Sequence, residues 1–301
     1  MQTFTGFDGW PPAFDGVLCE GRFSLKFVSF KQGDGKVGAG VLSGDKVVNL
    51  TAAGFTDMID VIQRGDKIRE QVASWEDIPL AAVKLTAPIP RPPKLICVGL
   101  NYRDHALESK MEIPTVPTIF NKFPNVVIGP GEPIVLPMNS TRPDYEAEFA
   151  FVIGKGGRHI AAENWRDHVF GYTIINDVSA RDFQMATSQW LMGKTFDTFA
   201  PMGPVLVTAD EIPDPHALDI SLAINGETLQ NSNTRELIFR IPELVAFLSS
   251  VVTLEPGDVV STGTPAGVGF ARNPPRFLKP GDEVVVHVEG IGDLRNPVVA
   301  E

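Results

Sequence analysis

The segment Asp144-Tyr-Glu-Ala-Glu-Phe-Ala-Phe-Val-Ile153 leaves this chain few ways to fold. Its apolar and acidic residues alternate, and alternate residues of a β-strand share a face. One face then carries Tyr145, Ala147, Phe149, Phe151 and Ile153, a core surface; the other carries Asp144, Glu146 and Glu148. Carboxylates on one strand face stand roughly 7 Å apart and repel unless something neutralises them. A solvated acidic edge strand is the competing reading, because charged edges deter aggregation. Against it, no Lys or Arg alternates with the acids, and the opposite face is too apolar for an edge. The next acid in a comparable setting is Asp177, after the apolar run Gly171-Tyr-Thr-Ile-Ile175. Joined to Glu146 and Glu148 it would give an all-oxygen site, which selects Mg²⁺, Mn²⁺ or Ca²⁺ over Zn²⁺. Three carboxylates outweigh one divalent charge, so an anionic substrate would need further cations close by.

Composition narrows the remaining possibilities. The chain has 301 residues, 43% hydrophobic and 21% charged, enough for one large domain or a large and a small one. Its 26 basic and 37 acidic residues give a net charge of -11, which disfavours nucleic acid or an anionic membrane as the main partner. No run approaches the ~20 apolar residues of a membrane span. No basic region followed by an apolar core is seen at the N-terminus, so no signal peptide is read and cytoplasm is the default. Cys19 and Cys97 cannot make a disulfide framework, nor a zinc cluster with five scattered histidines. Cys97 lies in an apolar run and reads as a buried small hydrophobe.

Residues 1–22 form an irregular extension rich in Gly, Pro and aromatics, including Trp10-Pro11-Pro12. Residues 23–90 are expected to form a small α+β domain, with short antiparallel strands over 24–50 and a helix over 57–75. The proline-rich stretch Ala87–Pro93 marks the boundary with residues 91–301. There the pattern is strand-rich α+β, with strands at 94–99, 118–121, 126–128, 133–136, 144–154, 169–176, 204–207, 219–225, 258–262 and 283–288, and helices at 161–168, 182–191 and 241–251. Asn225-Gly226 signals a hairpin turn.

Five segments then share one resemblance. They are Cys97-Val-Gly-Leu-Asn-Tyr-Arg-Asp-His105 with Glu108; Asp144-x-Glu146-x-Glu148; Asn176-Asp177-Val-Ser-Ala-Arg181-Asp182; Gln189-Trp-Leu-Met-Gly-Lys194-Thr-Phe-Asp197; and Thr262-Gly-Thr264-Pro-Ala-Gly-Val-Gly269. In content and order they resemble the fumarylacetoacetate hydrolase family, over roughly residues 90–295, and its two-domain branch in particular. The resemblance implies a catalytic domain built as a mixed β-sheet roll or sandwich. It assigns Glu146, Glu148 and Asp177 to a divalent metal (Mg²⁺ or Mn²⁺, with Ca²⁺ able to stand in), Lys194 to the active site, and His105 with Glu108 to a mobile lid that positions a water. Asp144 is left to hydrogen bonding around the metal.

Read as residues, His105 and Glu108 are three apart, share a face on one helical turn, and make a histidine competent as a base. Lys122, Arg181, Gln184 and Thr264 are candidates for substrate carboxylate or oxo groups; Arg181 could equally pair with Asp144 or Asp182. Gly193-Lys194-Thr195 mimics the end of a P-loop, but the required glycine is Ser188, so nucleotide binding is rejected. Leu100 stands where some single-domain relatives carry arginine, which counts against substrates whose distal carboxylate needs that cation.

The expected activity is metal-dependent cleavage of a C–C bond in a small anionic 2-oxo acid, such as an acylpyruvate or a diketo sugar acid, through an enolate. Oxaloacetate decarboxylation and keto–enol tautomerisation are the alternatives on the same scaffold. A non-catalytic binding protein would be expected to have lost a metal ligand, Lys194 or the His105–Glu108 pair, and all are present. A homodimer is implied by the resemblance.

Overall fold

Residues 25–33, 35–65 and 68–301 are described in a computed structural model of the chain. The expected extension 1–22, with Trp10 and Cys19, lies outside them. The first part of the chain forms β1 (Lys26–Lys31), β2 (Val37–Ser43), β3 (Lys46–Asn49), α1 (Met58–Arg64), α2 (Ile68–Gln71), β4 (Asp77–Pro79) and β5 (Lys84–Thr86). After the proline stretch come β6 (Leu95–Gly99), α3 (Arg103–Glu108), β7 (Thr118–Asn121), β8 (Val127–Ile128), β9 (Ile134–Leu136), β10 (Pro143–Asp144), β11 (Ala147–Ile153), β12 (Val169–Asn176) and β13 (Ser179–Ala180). The chain continues with α4 (Arg181–Gln184), α5 (Leu191–Lys194), β14 (Ala200–Thr208), β15 (Asp219–Ile224), β16 (Glu227–Asn233), α6 (Ile241–Val251), β17 (Val259–Ser261), β18 (Glu283–Val288) and β19 (Gly292–Ala300).

Among the described residues a mixed sheet of 12 strands runs β4-β3-β2-β1-β14-β12-β11-β17-β6-β7, with β5 beside β1 and β8 beside β14. A 5-stranded sheet, β16-β15-β18-β19-β9, packs across it, and β10 pairs with β13. The N-terminal strands continue the main sheet through Lys26↔Val207 and Phe27↔Leu206. At the hairpin between β15 and β16, Asn225 and Gly226 have φ of 52° and 83°. Two successive positive φ values make the tight turn that the Asn-Gly pair signals.

Strand β11 occupies the centre of the main sheet, between β12 and β17. Every residue from Ala147 to Ile153 is buried, so the acidic-edge reading does not apply. Tyr145, Ala147, Phe149, Phe151 and Ile153 pack with Leu222, Val286 and Leu294 of the second sheet, as the alternation requires. The acidic face continues into Ala150 and Val152, which pack with Phe27, Met58 and Ile62. The carboxylates therefore stand where an otherwise apolar face reaches the end of the sheet.

The strand expected over 144–154 breaks at Tyr145 and Glu146. Side-chain acceptors replace the ladder there: the Tyr145 N–H donates to Asp144 Oδ1 (2.9 Å) and the Glu146 N–H to Asn176 Oδ1 (3.1 Å). The helix expected over 57–75 divides after Arg64, where glycine at position 65 disfavours propagation. The helix expected over 182–191 is replaced by the short helices α4 and α5. Thr187 Oγ1 takes the Gln189 N–H (3.1 Å) and donates to Gln189 O (3.0 Å), a local turn that competes with helix. The segment expected as helix over 161–168 is a 3₁₀ helix, Ala162–Asp167.

Candidate active site

Three neighbouring strand ends converge on one point. Glu146 lies in the β10–β11 break, Glu148 is the second residue of β11, and Asp177 follows β12, whose Asn176 is paired with Ala147. The Asp177 N–H donates to Glu146 O (2.9 Å), which fixes the two side chains relative to each other. One carboxylate oxygen from each of Glu146, Glu148 and Asp177 lies within 4.8 Å of the others, and all three residues are buried.

Buried carboxylates are costly unless paired, and here the pairing is uneven. Lys194 Nζ, on α5, lies 2.7 Å from both Glu146 Oε2 and Asp177 Oδ2. Arg181 Nη1 lies 2.7 Å from Glu146 Oε1. Lys122 Nζ donates to Asp177 Oδ1 (2.5 Å) and Val178 O (2.9 Å). Among the described residues Glu148 meets only neutral donors: Ser261 Oγ at 2.5 Å and the Gly263 N–H at 3.0 Å, both on Oε2.

The titration behaviour follows these contacts. Burial raises the Glu146 carboxyl, but Lys194 and Arg181 outweigh it and hold it at about 2. Burial, then the charges of Asp177 and Glu146, pushes the Glu148 carboxyl well above its ordinary range. Burial lowers Lys122 despite Asp177. Burial opposes the charge on Lys194, but Asp177 and Glu146 overcome it and raise that ammonium.

Asp144, the first acid of the segment, serves a different end. Its Oδ1 accepts the Gly269 N–H (2.8 Å), and its Oδ2 accepts the Phe270 N–H (3.0 Å) and Arg181 Nε (2.8 Å). It thus ties Arg181 to the loop after Thr264. Arg181 pairs with Asp144 rather than Asp182, which instead accepts from Ser140 Oγ and the Thr141 N–H. With Asp144 included, four acids face three bases, so with all four carboxyls ionised one excess negative charge remains. A divalent cation converts this to one excess positive charge, suited to an anionic ligand. An oxygen-only donor set with an unneutralised carboxylate fits a hard divalent ion.

His105 and Glu108 lie on α3 as the spacing predicts, with Nδ1 3.4 Å from Glu108 Oε2. Glu108 takes the Gly267 N–H on both oxygens at 3.0 Å. Burial raises its carboxyl, but the His105 bond and the Gly267 N–H bring it below its usual range. Asp104 accepts from Ser232 Oγ at 2.5 Å. The helix is therefore fastened to the loop that crosses the carboxylates.

The other candidates lie close by but are partly engaged. Gln184 Oε1 accepts from Arg181 Nη1 (2.9 Å), and Thr264 Oγ1 accepts from Gln230 Nε2 (2.8 Å). Lys122 is 1% exposed, and its Nζ is spent on Asp177 and Val178 O. A cavity of about 430 Å³ is lined by Lys122 together with Leu95, Ile119, Phe247 and Val251, and none of Glu146, Glu148 and Asp177 lines it. Arg181 Nη2 is buried and has no hydrogen-bond partner among the described residues. Ser261, Asn176 and Phe270 were not singled out from the sequence. Only their register beside β11 and Asp144 gives them a role, and composition carries no trace of that.

The model of the fumarylacetoacetate (FAA) hydrolase C-terminal domain matches residues 94–299. The chain belongs to the fumarylacetoacetate hydrolase family. Within that family it is 45% identical, over 92% of its length and 91% of the relative's, to the mitochondrial oxaloacetate tautomerase fahd2 of Xenopus laevis. Its fold matches the fumarylacetoacetate hydrolase from psychrophilic Exiguobacterium antarcticum with a TM-score of 0.83, at 38% identity over 92% of this chain and 100% of that one. It also matches maleylpyruvate hydrolase from Sphingobium sp. SYK-6 in complex with manganese(II) ion and pyruvate, with a TM-score of 0.78 at 33% identity over 92% of this chain and 99% of that one. The family is therefore one of enzymes, with tautomerase and hydrolase activities among these relatives.

Proposed function

We propose that this chain is a divalent-metal-dependent tautomerase that interconverts the keto and enol forms of oxaloacetate or a closely similar small 2-oxo acid. What favours proton movement over the expected C–C hydrolysis is the 45% identity to an oxaloacetate tautomerase. In the site, Glu108 takes the Gly267 N–H through both oxygens and faces His105 Nδ1 at 3.4 Å, an arrangement that holds the helix and steers the imidazole. The Xenopus laevis oxaloacetate tautomerase, similar over 92% of this chain, supports the same reading.

Glu146, Glu148 and Asp177 would hold Mg²⁺ or Mn²⁺, which when bound supplies Lewis acidity to the 2-oxo group. Lys194 has three N–H donors and uses two on Glu146 and Asp177. The third is available to negative charge developing on the oxo oxygen. Arg181 Nη2 offers a buried donor to the substrate carboxylate. With its Nδ1–H turned to Glu108, His105 presents the free lone pair of Nε2 as the base. It removes H⁺ from C3, the C–H pair becomes the C2–C3 double bond, the carbonyl π pair moves to oxygen, and that oxygen takes a proton from water while the imidazolium returns its own to solvent; the reverse direction restores the ketone. Leu100 supplies no cation, so a four-carbon diacid draws on Arg181 and Lys194.

The test is ketonisation of enol-oxaloacetate followed by absorbance with Mg²⁺ or Mn²⁺, alongside an acylpyruvate assayed for cleavage. Acceleration of the first, lost in His105→Ala, supports the reading. Acylpyruvate cleavage without ketonisation restores hydrolysis, and CO₂ release from oxaloacetate as the main product restores decarboxylation. A homodimer is the assembly the family resemblance implies, checked by light scattering. The mitochondrial location named for the Xenopus laevis relative weighs against cytoplasm as a default. Among the described residues no helix is long and apolar enough to cross a membrane.

A further inference from the structure

Resting on this reading of the site, we propose that Gln230 is a positioning residue that makes the Thr264 hydroxyl a hydrogen-bond donor to the bound 2-oxo acid. Gln230 lies on β16, in the second sheet, and is 1% exposed. Its Oε1 accepts the Ala147 N–H (2.9 Å), and its Nε2 donates to Thr264 Oγ1 (2.8 Å) and Pro265 O (2.9 Å). The amide has only this orientation open to it. A backbone N–H must meet its oxygen and a backbone carbonyl its nitrogen, so a flip would set donor against donor and acceptor against acceptor. Both Nε2 protons are thereby in use, and Thr264 can only accept from Gln230. The hydroxyl keeps its own proton, for which the described residues offer no acceptor.

That hydroxyl stands beside the carboxylates. Gly263, the residue before Thr264, donates its N–H to Glu148 Oε2 (3.0 Å). Ala147, the other residue that Gln230 holds, lies between Glu146 and Glu148. The backbone leading to Thr264 has little freedom: Gly263 has a φ of 95°, and an added Cβ would lie 2.9 Å from both Asn101 Cβ and Val98 O. Thr264 itself is 5% exposed, so its proton has little water to turn to. A buried hydroxyl with an unused proton is completed by an anionic oxygen, and hydrogen bonds to charged groups are the stronger ones. Gln230, with both ends of its amide engaged by the protein, acts on the ligand only through Thr264. The same side chain that holds the strand between two of the carboxylates therefore sets the polarity of the hydroxyl beside the third donor loop.

The test is the affinity of pyruvate for the Mn²⁺-loaded protein, read by the paramagnetic resonance of the bound ion, in wild type, Thr264→Val, Gln230→Glu and the double variant. Gln230→Glu keeps an acceptor for the Ala147 N–H but draws the Thr264 proton onto its carboxylate. Thr264→Val is expected to weaken pyruvate by about tenfold when residue 230 is glutamine. In the Gln230→Glu background the same change is expected to cost less than about twofold. The charge added at position 230 is common to both arms of that second comparison and cancels from it. A Thr264→Val loss of equal size in the two backgrounds overturns the proposal and leaves Gln230 a support for β11. So does a Thr264→Val protein that binds pyruvate as wild type does. If melting temperature shows that Gln230→Glu fails to fold, Gln230→Met, which removes the orienting donor without adding charge, carries the same comparison. Because binding is read without turnover, the coupling is measured even where oxaloacetate ketonisation fails, so the two readings fail separately.

Discussion

The carboxylate floor and the His105 helix meet at one site but are held by different means. Glu146, Glu148 and Asp177 sit on central strands whose register fixes them, within a sheet whose two faces are both buried. The helix α3 is 6 residues long and is tied down chiefly by side-chain hydrogen bonds, Glu108 to Gly267, Asp104 to Ser232 and Ala266, and Arg103 to Leu237. Leu107, Met111 and Ile113, on or just after it, are exposed. A register-built floor keeps charges in place at the expense of stability, while a lightly fastened helix can open to admit a ligand. Changes in the floor are thus expected to alter ion binding and folding, and changes in the helix to alter rate.

Glu146 and Glu148, two residues apart on the same face, give the largest contrast. In Glu148→Gln, ion-dependent turnover is lost, while the melting temperature of the ion-free protein is unchanged or higher, because a buried carboxylate without a cationic partner has been removed. In Glu146→Gln turnover is also lost, but Lys194 and Arg181 are left short of a partner. The ion-free protein is then destabilised by about 3–5 kcal/mol, read by denaturant unfolding. Equal stability effects in the two variants would break the contrast.

His105→Ala tests the other region. We expect kcat for ketonisation to fall by about 10²–10⁴, with Mn²⁺ affinity unchanged by calorimetry. A comparable loss of Mn²⁺ affinity would mean that the floor and the helix are not separable.

The pH dependence of ion binding is a smaller effect with a defined sign. In the ion-free fold Glu148 holds its proton above the ordinary value of 4.5, and an incoming cation must displace it. Affinity then rises about tenfold per pH unit from that value up to the raised one, with about one proton released per ion, and levels off above it. The stability of the ion-free protein moves oppositely for the two glutamates. The contribution of Glu146, held at about 2, is present above 4.5 and lost as pH falls toward about 2. The charge on Glu148 becomes a cost as pH rises through the window above 4.5. Calorimetry in buffers of different ionisation enthalpy counts the protons.

The smallest expected effect is at the fastening itself. Ser232→Ala removes one hydrogen bond to Asp104, worth about 1 kcal/mol. It is expected to raise hydrogen exchange at the amides of Ala266 and Gly267 while changing turnover only a few-fold.

The floor was legible in the sequence because alternation is a local signal: six residues suffice to show that Tyr145, Ala147 and Phe149 face one way and Glu146 and Glu148 the other. Helix α6 was equally legible, its residues 241–251 carrying an early proline and an apolar stripe. Strands β16 and β19 were not. The first reads Glu-Thr-Leu-Gln-Asn-Ser-Asn and the second contains Pro297, so neither has strand composition. β16 forms as the second arm of the Asn225-Gly226 hairpin with β15, and β19 forms because β18 on one side and the sequence-distant β9 on the other both offer it a ladder. Asp144 was visible as an acid, but its partners Gly269, Phe270 and Arg181 come from 37 or more residues away. No local pattern records that it gathers them.

The most direct test of the account is Mn²⁺ binding to purified wild type and to Glu148→Gln, measured by calorimetry and by the paramagnetic resonance of the bound ion. A single site in wild type, weakened by more than about 100-fold in a Glu148→Gln protein that remains folded, is the predicted result. Equal affinity and stoichiometry in the two proteins would contradict convergence of the three carboxylates on one ion.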